Sequence, residues 1–346
     1  MTQHSAAGEV LAPKSHKLEF GGLWGALFIS TTVPLTIYYF TFACDDNIGC
    51  ALSLPVTNTD AFFANAKRQF IESFTDTTAW CLYFGWYVYC VLAWLVLPGK
   101  WLEGLALRTG NRLQYKINAL STGMIALGSV SLYVAVYGPA AFTFAYDHWP
   151  GLVTAALVNA FVQACYVYFA SFCGNKLLAL GGNSGNVLFD WFIGRELNPR
   201  VGSFDIKTFN ELRPGLILWV IMDISCVCKQ YTLYGHVSYG ILLVLFFHTW
   251  YVVDSLAHEP TILSQMDITT DGFGFMLSVG DLAWVPFTYS LQARYLAFTP
   301  VHLGVFGVLA ILTLQVTGFY IFRTANVEKN DFRSGRNPKS PYATQC

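Results

Sequence analysis

The sequence predicts an all-α membrane protein, a polytopic helix bundle with about eight transmembrane helices. Hydrophobic residues make up 54% of the 346 positions and charged residues only 12%, about half the charged fraction of a typical soluble protein. The mean hydropathy is +0.45. The apolar runs are continuous rather than alternating, which favours helices among the structures that can satisfy backbone polar groups in lipid. A basic nucleic-acid-binding protein is excluded, since 20 Lys plus Arg against 21 Asp plus Glu leave a net charge of -1.

Eight apolar runs approach the roughly 20 residues that a helix needs to cross the hydrocarbon core. They cover residues 22–43, 79–98, 118–140, 151–173, 215–233, 236–253, 273–292 and 302–322. The fifth and seventh runs are the weakest, because Asp223 interrupts one and Asp281 the other. Either could instead be a re-entrant segment that lines a cavity. The first run is too long for a signal peptide and is followed by no small-residue cleavage site.

The charges between these runs predict the topology, since cytosolic loops carry an excess of Lys and Arg. Basic residues concentrate in segments 99–117, 174–214 and 323–346, whereas 44–78, 141–150 and 293–301 contain few. The two kinds of connection alternate, as an even number of spans requires. We therefore expect residues 1–21 to form a cytosolic N-terminal tail, residues 22–322 the bundle and residues 323–346 a second cytosolic tail.

One connection breaks this pattern. Residues 254–272 fall on the cytosolic side but contain no Lys or Arg, and their four acids are Asp254, Glu259, Asp267 and Asp271. This anomaly makes the segment a candidate for a folded, functional element.

The nine cysteines show no metal-binding spacing, so we predict no metal site. Cys44 and Cys50 share the first lumenal loop, where oxidising conditions permit a disulfide. The spacing alone leaves open whether the two thiols pair. Cys226 and Cys228, within the fifth span, are typical of core packing.

Two polar stretches are candidates for chemistry, because ionisable groups at membrane depth are expensive and usually face a cavity or a partner. The first covers residues 185–215, and an interfacial loop with paired charges is the simpler interpretation. The second covers residues 254–296 and mixes five acids with aromatic residues. Apolar walls with a few convergent polar groups are typical of a ligand cavity, although an acid hydrogen-bonded inside a bundle would give the same pattern.

The first stretch matches the pattern G-x-x-L-x-D-x-F-x-G-x-x-L-N-P-R. The matching residues are Gly185, Leu188, Asp190, Phe192, Gly194, Leu197, Asn198, Pro199 and Arg200. This pattern resembles the signature of the sterol reductase family, which includes sterol C14, C7 and C24(28) reductases and the lamin B receptor. The segments 203–219, 266–277 and 280–296 resemble the C14 branch in particular. The resemblance begins near Leu23 and covers nearly the whole chain.

The resemblance implies a Δ14-sterol reductase of sterol or ergosterol biosynthesis, in the endoplasmic reticulum membrane. Such enzymes use NADPH to reduce the C14=C15 double bond of a sterol intermediate. A proton adds to one alkene carbon, and hydride captures the resulting cation. The implied partners are therefore a sterol, the lipid bilayer and NADPH, and no nucleic acid.

This chemistry requires a proton donor beside an apolar slot between the sixth and eighth spans. The candidate donors are Asp281, Tyr289 and Glu259, with Asp281 first, because a carboxyl in an apolar wall tends to stay protonated. Asp281 could alternatively fix a neighbouring side chain. The candidate substrate contacts are Asp254, Phe273, Trp284 and Gln292. Ahead of the acidic loop, His258 replaces the family's usual Asn in Asn-Glu-Pro, and a histidine can still donate a hydrogen bond.

Lys329, Asn330 and Arg333 match the K-N-x-F-R segment that contacts the cofactor phosphates in the family, and arginine suits phosphate through its bidentate fork. Without the resemblance these would be ordinary basic residues of a cytosolic tail. The family usually has ten helices, whereas the match here stops near residue 339. We therefore expect a truncated cofactor site and impaired activity, unless a second chain supplies the missing helices. The alternative is a non-catalytic sterol-binding or scaffold protein of the same family.

Overall fold

The computed structural model describes residues 11–45, 49–50, 59–333 and 335, and these residues are mostly helical. The α-helices are α1 (Gly22–Ala43), α2 (Thr59–Thr75), α3 (Thr77–Val96), α4 (Ala119–Tyr137), α5 (Phe144–Asp147), α6 (Trp149–Ala170), α7 (Val187–Ile193), α8 (Ile206–Leu212), α9 (Pro214–Tyr234), α10 (Tyr239–Ala257), α11 (Met266–Thr269), α12 (Phe275–Val279), α13 (Val285–Thr288), α14 (Leu291–Phe298) and α15 (Val305–Arg333). Two 3-10 turns cover Pro139–Phe142 and Glu259–Ser264, and a π-helical turn covers Gly280–Trp284.

Three short antiparallel hairpins connect the helices. They pair β1 (Cys44–Asp45) with β2 (Gly49–Cys50), β3 (Lys100–Glu103) with β4 (Gln114–Ile117), and β5 (Arg200–Val201) with β6 (Phe204–Asp205). In the first hairpin a disulfide joins Cys44 to Cys50, so the pairing that the sequence left open is present. Cys226 and Cys228 are buried within α9, as expected of core residues.

Seven helical stretches of the described residues are long and apolar enough to cross a membrane. They are α1, α3, α4, α6, the run Ile206–Tyr234 that combines α8 and α9, α10 and α15. Each corresponds to one of the predicted spans. The polytopic helix bundle expected from the sequence is therefore confirmed, with seven rather than eight uninterrupted spans.

The predicted span 273–292 is the exception, because it is divided into α12, the π-helical turn and α13. Pro286 lies in the first turn of α13 and lacks the N–H that an uninterrupted helix would require there. The π-helical turn starts at Gly280 and contains Asp281. Of the two interpretations given to this run, the structure agrees with a broken segment rather than a regular span.

Helix α9 forms the centre of the bundle and contacts α10, α13 and α14. Its backbone comes unusually close to the π-helical turn at Gly215, where a Cβ would lie 1.7 Å from the Asp281 carbonyl oxygen. Helix α6 also lies inside the bundle and presents buried small residues such as Ala156 and Ala160. Small residues let helix backbones approach closely, which is how helices associate in a membrane.

A buried polar network joins α4, α9 and the 254–272 segment. The Arg213 side chain, 1% exposed, donates from Nη2 to Glu259 Oε1 at 2.7 Å and to Asn118 Oδ1 at 2.8 Å. The other Glu259 oxygen accepts the Ala119 backbone N–H at 2.7 Å. The 254–272 segment is therefore a folded element, as its unusual charge pattern predicted.

Candidate functional site

A polar cavity of about 440 Å³ lies between the 254–272 segment and the C-terminal end of α15. Its lining residues include His258, Asp267, Arg323, Lys329 and Arg333. We call this space the polar cavity. All three predicted cofactor residues, Lys329, Asn330 and Arg333, line this cavity together with residues of the acidic segment.

Hydrogen bonds fix the end of α15 against this segment. Arg333 donates from Nη1 to the Ser264 carbonyl oxygen at 2.9 Å, and the Ser264 hydroxyl donates to Asn330 Oδ1 at 2.9 Å. At the cavity wall, Arg323 lies 3.5 Å from Asp254, which also lies 3.2 Å from His258 Nδ1. These contacts hold two arginine side chains, Arg323 and Arg333, around one space.

Two acids, Asp331 and Asp267, line the polar cavity, and Asp267 is the one on the acidic segment. Its burial raises the pKa of the carboxyl, and the neighbouring Asp271 raises it further, whereas Lys207 and Lys329 act in the opposite direction. Protonation of Asp267 would make the cavity more positive. The polar cavity is therefore suited to an anionic ligand such as a phosphate group.

Four aromatic side chains from different elements form a group next to α10, which we call the aromatic wall. Its members are Trp219, Tyr251, Tyr289 and Phe322. Ring centroids lie 5.1 Å apart for Trp219 and Tyr289, 5.8 Å for Trp219 and Tyr251, and 6.0 Å for Tyr251 and Phe322. Tyr251 precedes His258 by seven residues of α10, or about 10 Å at 1.5 Å per residue. A polar end and an aromatic end thus lie within the length of one extended ligand.

The three predicted proton donors occupy different environments. Tyr289 belongs to the aromatic wall and is 42% exposed. Asp281 is half-buried, its Oδ2 has no hydrogen-bond partner among the described residues, and it interacts electrostatically with Glu211 and Asp267. Glu259 has both oxygens engaged by Arg213 and Ala119. The geometry therefore assigns Glu259 an anchoring role in place of the predicted role as an acid.

The four predicted substrate contacts are not brought together. Asp254 links α10 to α15 through Arg323, and Trp284 packs against the main core. Phe273 has no exposed surface and packs beside Val167 and Ile206, and its substrate contact stays a prediction. Gln292 is exposed on α14.

The sequence of this chain matches the model of one protein family. Residues 14–346 match the model described as the ergosterol biosynthesis ERG4/ERG24 family. The chain belongs to the ERG4/ERG24 family. The Delta(14)-sterol reductase erg24 of Schizosaccharomyces pombe is 47% identical over 326 residues, which cover 93% of this chain and 74% of the relative.

Two further ERG4/ERG24 relatives show a similar extent of matching. The Delta(14)-sterol reductase ERG24 of Saccharomyces cerevisiae is 41% identical over 349 residues, covering 94% of this chain and 77% of the relative. The Delta(14)-sterol reductase of Neurospora crassa is 39% identical over 358 residues, covering 97% of this chain and 72% of the relative. The resemblance inferred from the motifs is therefore confirmed.

The ERG4/ERG24 signature at residues 185–200 stabilises a loop. Asp190 accepts the Ser184 backbone N–H at 2.8 Å and hydroxyl at 2.7 Å, and Arg200 donates to Asp205 at 2.9 Å. Gly194 has φ +97°, and a Cβ there would lie 2.4 Å from the Gly272 backbone. The signature thus holds one loop against the start of α12, in agreement with the simpler interpretation of this stretch.

Sequence reasoning missed several polar residues of the site. Arg213, Tyr251 and His248 were not among the candidates, and Asp223 was noted only as an interruption of a span. Tyr251 and His248 lie within a uniformly apolar run, so only the general rarity of polar groups at membrane depth could have singled them out. Among the described residues, no cluster of three or more His, Cys, Asp or Glu side chains could hold a metal ion.

Proposed function

We propose that this protein is a Δ14-sterol reductase that reduces the C14=C15 double bond of a sterol intermediate in ergosterol biosynthesis, with NADPH as reductant. The observation that carries the proposal is the similarity to relatives of that name, which reaches 47% identity over 93% of the chain. The arrangement of the polar cavity beside the aromatic wall supports it, because the reaction needs a phosphate-binding end and an apolar end.

The residues of the polar cavity fit the phosphates of NADPH. Lys329 and Arg333 supply charge, and the Asn330 side chain adds a polar contact. Arg333 already donates to the Ser264 carbonyl through Nη1, so it is held in position at the cavity rim. When bound, NADPH supplies the hydride. The protein then has to orient the sterol, exclude water and deliver one proton to the alkene.

We assign the proton donation to Tyr289. Its ring contacts Trp219 at the aromatic wall, and its exposure leaves the side chain accessible to a ligand. Asp281 is the second choice, since it lies within a π-helical turn near the acids Glu211 and Asp267. General acids of this kind contribute about 10²–10⁴-fold to rate.

The decisive experiment incubates the purified chain in lipid nanodiscs with an 8,14-diene sterol and NADPH, and measures the monoene product by mass spectrometry. We expect product formation in the wild type and a rate about 100-fold lower in Tyr289→Phe. Tyr295→Phe is the matched control, because Tyr295 is a similarly exposed aromatic residue that contacts Phe298 instead. Absence of product from the wild type would overturn the proposal.

A second experiment measures NADPH affinity by equilibrium dialysis, and so tests the cofactor contacts assigned to the polar cavity. If Lys329 and Arg333 bind phosphate, changing either to Ala weakens binding by up to about fivefold. Lys229→Ala is the control, because Lys229 pairs with Asp147 at a different cavity. Sterol binding without NADPH binding or turnover would favour the alternative of a non-catalytic sterol-binding or scaffold protein. Product formed only after a second family chain is added would favour a partner that completes the site.

The proposed location is the endoplasmic reticulum membrane, with both termini in the cytosol. The support is the alternation of basic and non-basic connections between the spans. Single exposed cysteines introduced into the 99–117 and 141–150 segments would test the orientation. A membrane-impermeant thiol reagent added to intact microsomes should label only the first.

A further inference from the structure

An acid and an imidazole form a buried pair between α9 and α10. Asp223 Oδ2 lies 2.6 Å from His248 Nδ1. Asp223 has no exposed surface, and the His248 side chain is 15% exposed. The remaining Asp223 oxygen, Oδ1, forms no hydrogen bond of regular geometry among the described residues, and the Ser290 side chain is the other polar group that interacts with this carboxyl. Such a group is expensive at membrane depth and is usually retained for a function.

The contacts at His248 Nδ1 determine where the proton of this pair can be. The Trp219 Nε1–H also points at Nδ1, at 3.1 Å. An indole nitrogen can only donate, so in this arrangement Nδ1 offers a lone pair. For the 2.6 Å contact between Nδ1 and Oδ2, this arrangement places a proton on Asp223, and the Asp223 O–H and the Trp219 N–H share the single Nδ1 lone pair. The geometry therefore describes a neutral acid whose proton is shared with a neutral imidazole.

The pair makes no structural link of the kind seen elsewhere in the bundle. On the same helix, Ser225 donates to the Phe142 carbonyl oxygen and accepts the Tyr146 N–H, and so connects α9 to the backbone of its neighbours. In the part of the chain that the structure describes, neither the Asp223 side chain nor the His248 side chain forms a hydrogen bond to a backbone atom. Anchoring of the backbone is thus not their role.

The pair lies directly behind the aromatic wall. The His248 and Trp219 ring centroids are 4.4 Å apart, and Trp219 contacts both Tyr251 and Tyr289. With Nδ1 engaged, Nε2 is the ring nitrogen that can face this site, and no described residue bonds to it. His248 is therefore one aromatic ring away from the group assigned as the proton donor.

We propose that Asp223 and His248 hold one shared proton in reserve and return it to Tyr289 after each sterol reduction. The inference rests on the proposed function. Tyr289 loses its O–H proton to one alkene carbon, while hydride from NADPH adds to the other carbon and NADP⁺ is released. The His248 Nε2–H proton then moves to the phenolate, through a water molecule across the gap. Asp223 passes its proton to Nδ1, and the pair regains one proton from solvent.

Asp223 and His248 are thus positioning residues that act through Tyr289. The other titratable groups around them are Cys226, one turn along α9 and in electrostatic contact with Asp223, and the two tyrosines of the aromatic wall. Arg294 of α14 interacts with Cys226 from the opposite side. Tests of the proton reserve must therefore leave these groups unchanged.

The test compares Asp223→Asn, Asp223→Glu and His248→Gln with the wild type in nanodiscs. Asn keeps the shape of the Asp223 side chain and Gln keeps a hydrogen-bonding group in place of the imidazole, but neither amide can carry the shared proton. We expect steady-state sterol reduction to fall about 100-fold in both, with a changed pH profile and an unchanged first turnover. Asp223→Glu should recover most of the rate. Ser225→Ala is the control, and it should lower thermal stability without altering the pH profile.

An infrared measurement gives a readout independent of turnover. The wild type should show the carbonyl stretch of a neutral carboxylic acid that disappears in Asp223→Asn and shifts in His248→Gln. If Asp223→Asn loses this band but the wild type reduces no sterol, the proposed function is overturned and the shared proton is supported. An unaltered spectrum, or normal rates and pH profiles in the two variants, would overturn the proton reserve.

Discussion

Helices α9 and α15 both satisfy the criteria for a membrane span, but they occupy opposite environments. The apolar window of the run that contains α9 is 61% buried within the protein and has a mean hydropathy of 1.4. The window of α15 is more apolar, at 2.0, and none of it is buried. In a bilayer, apolar surface is stable against lipid, so hydropathy does not identify the core. Polar residues such as Arg213 and Asp223 mark the helix that the others surround.

The largest expected effect comes from breaking the ion pair at the start of α9. Arg213→Ala leaves Glu259 buried without its cation, and such a loss costs about 3–5 kcal/mol. We expect a large drop in the thermal unfolding temperature in detergent. The double variant Arg213→Met with Glu259→Met removes both charges and should recover part of the loss. Equal unfolding temperatures of Arg213→Ala and the wild type would contradict the assignment of α9 as the buried helix of the bundle.

A glycine in each helix provides a matched test of packing. Gly215→Ala in α9 places a Cβ against the Asp281 carbonyl oxygen, and overpacking of this kind costs about 1–3 kcal/mol. Gly318 in α15 has open space around it, so Gly318→Ala should change stability by less than about 0.5 kcal/mol. Thermal unfolding of the two variants measures the difference. A smaller loss for Gly215→Ala than for Gly318→Ala would contradict the assigned environments.

The polar end of α15 should respond to pH through Asp267. Because burial raises the pKa of this acid, it becomes neutral as the pH falls through a value above its ordinary range, and its repulsion of a phosphate is then lost. NADPH binding should therefore strengthen on acidification by up to about fivefold. Asp267→Asn should bind more tightly at neutral pH and lose this dependence. Repeating the titration with NADH separates the effect from ionisation of the 2′-phosphate.

The smallest effect is expected at the ion pair between Arg323 of α15 and Asp254 of α10. Arg323 and Asp254 are 3.5 Å apart and both are partly exposed, so their pairing contributes at most about 1 kcal/mol. Arg323→Ala should reduce thermal stability slightly, and less so at high salt because of screening. A loss comparable to that of Arg213→Ala would indicate that α15 is held as firmly as α9.

The spans were predictable because the bilayer imposes length and hydrophobicity on every crossing helix. The acidic segment at 254–272 was also recognisable, because its charges contradict the distribution of the other loops. The pairing of Arg213 with Glu259 was not, since it joins residues 46 positions apart and depends on how helices pack. For the same reason, sequence reasoning placed Glu259 among the acids and overlooked Tyr251.

The candidate site was predicted in part. Lys329, Asn330 and Arg333 do line one cavity, and the spacing of four residues brings Lys329 and Arg333 to the same side of the helix. Phe273 and Gln292 were grouped with Tyr289 by proximity in the sequence, but a broken helix separates their surroundings. Predictions based on motifs therefore identified three residues that line one cavity, without showing which of the other candidates stabilise the fold.

The π-helical turn at Gly280–Trp284 also sets the rotational phase of everything that follows it. Such a turn accommodates one residue more than an α-helical turn does, and one residue corresponds to about 100° around the axis. A helical wheel drawn through 273–292 as a regular helix would therefore assign Tyr289 to the wrong face. Converting the turn to regular α-helix at unchanged length would rotate Tyr289 away from Trp219, with no change in the chemistry of either side chain.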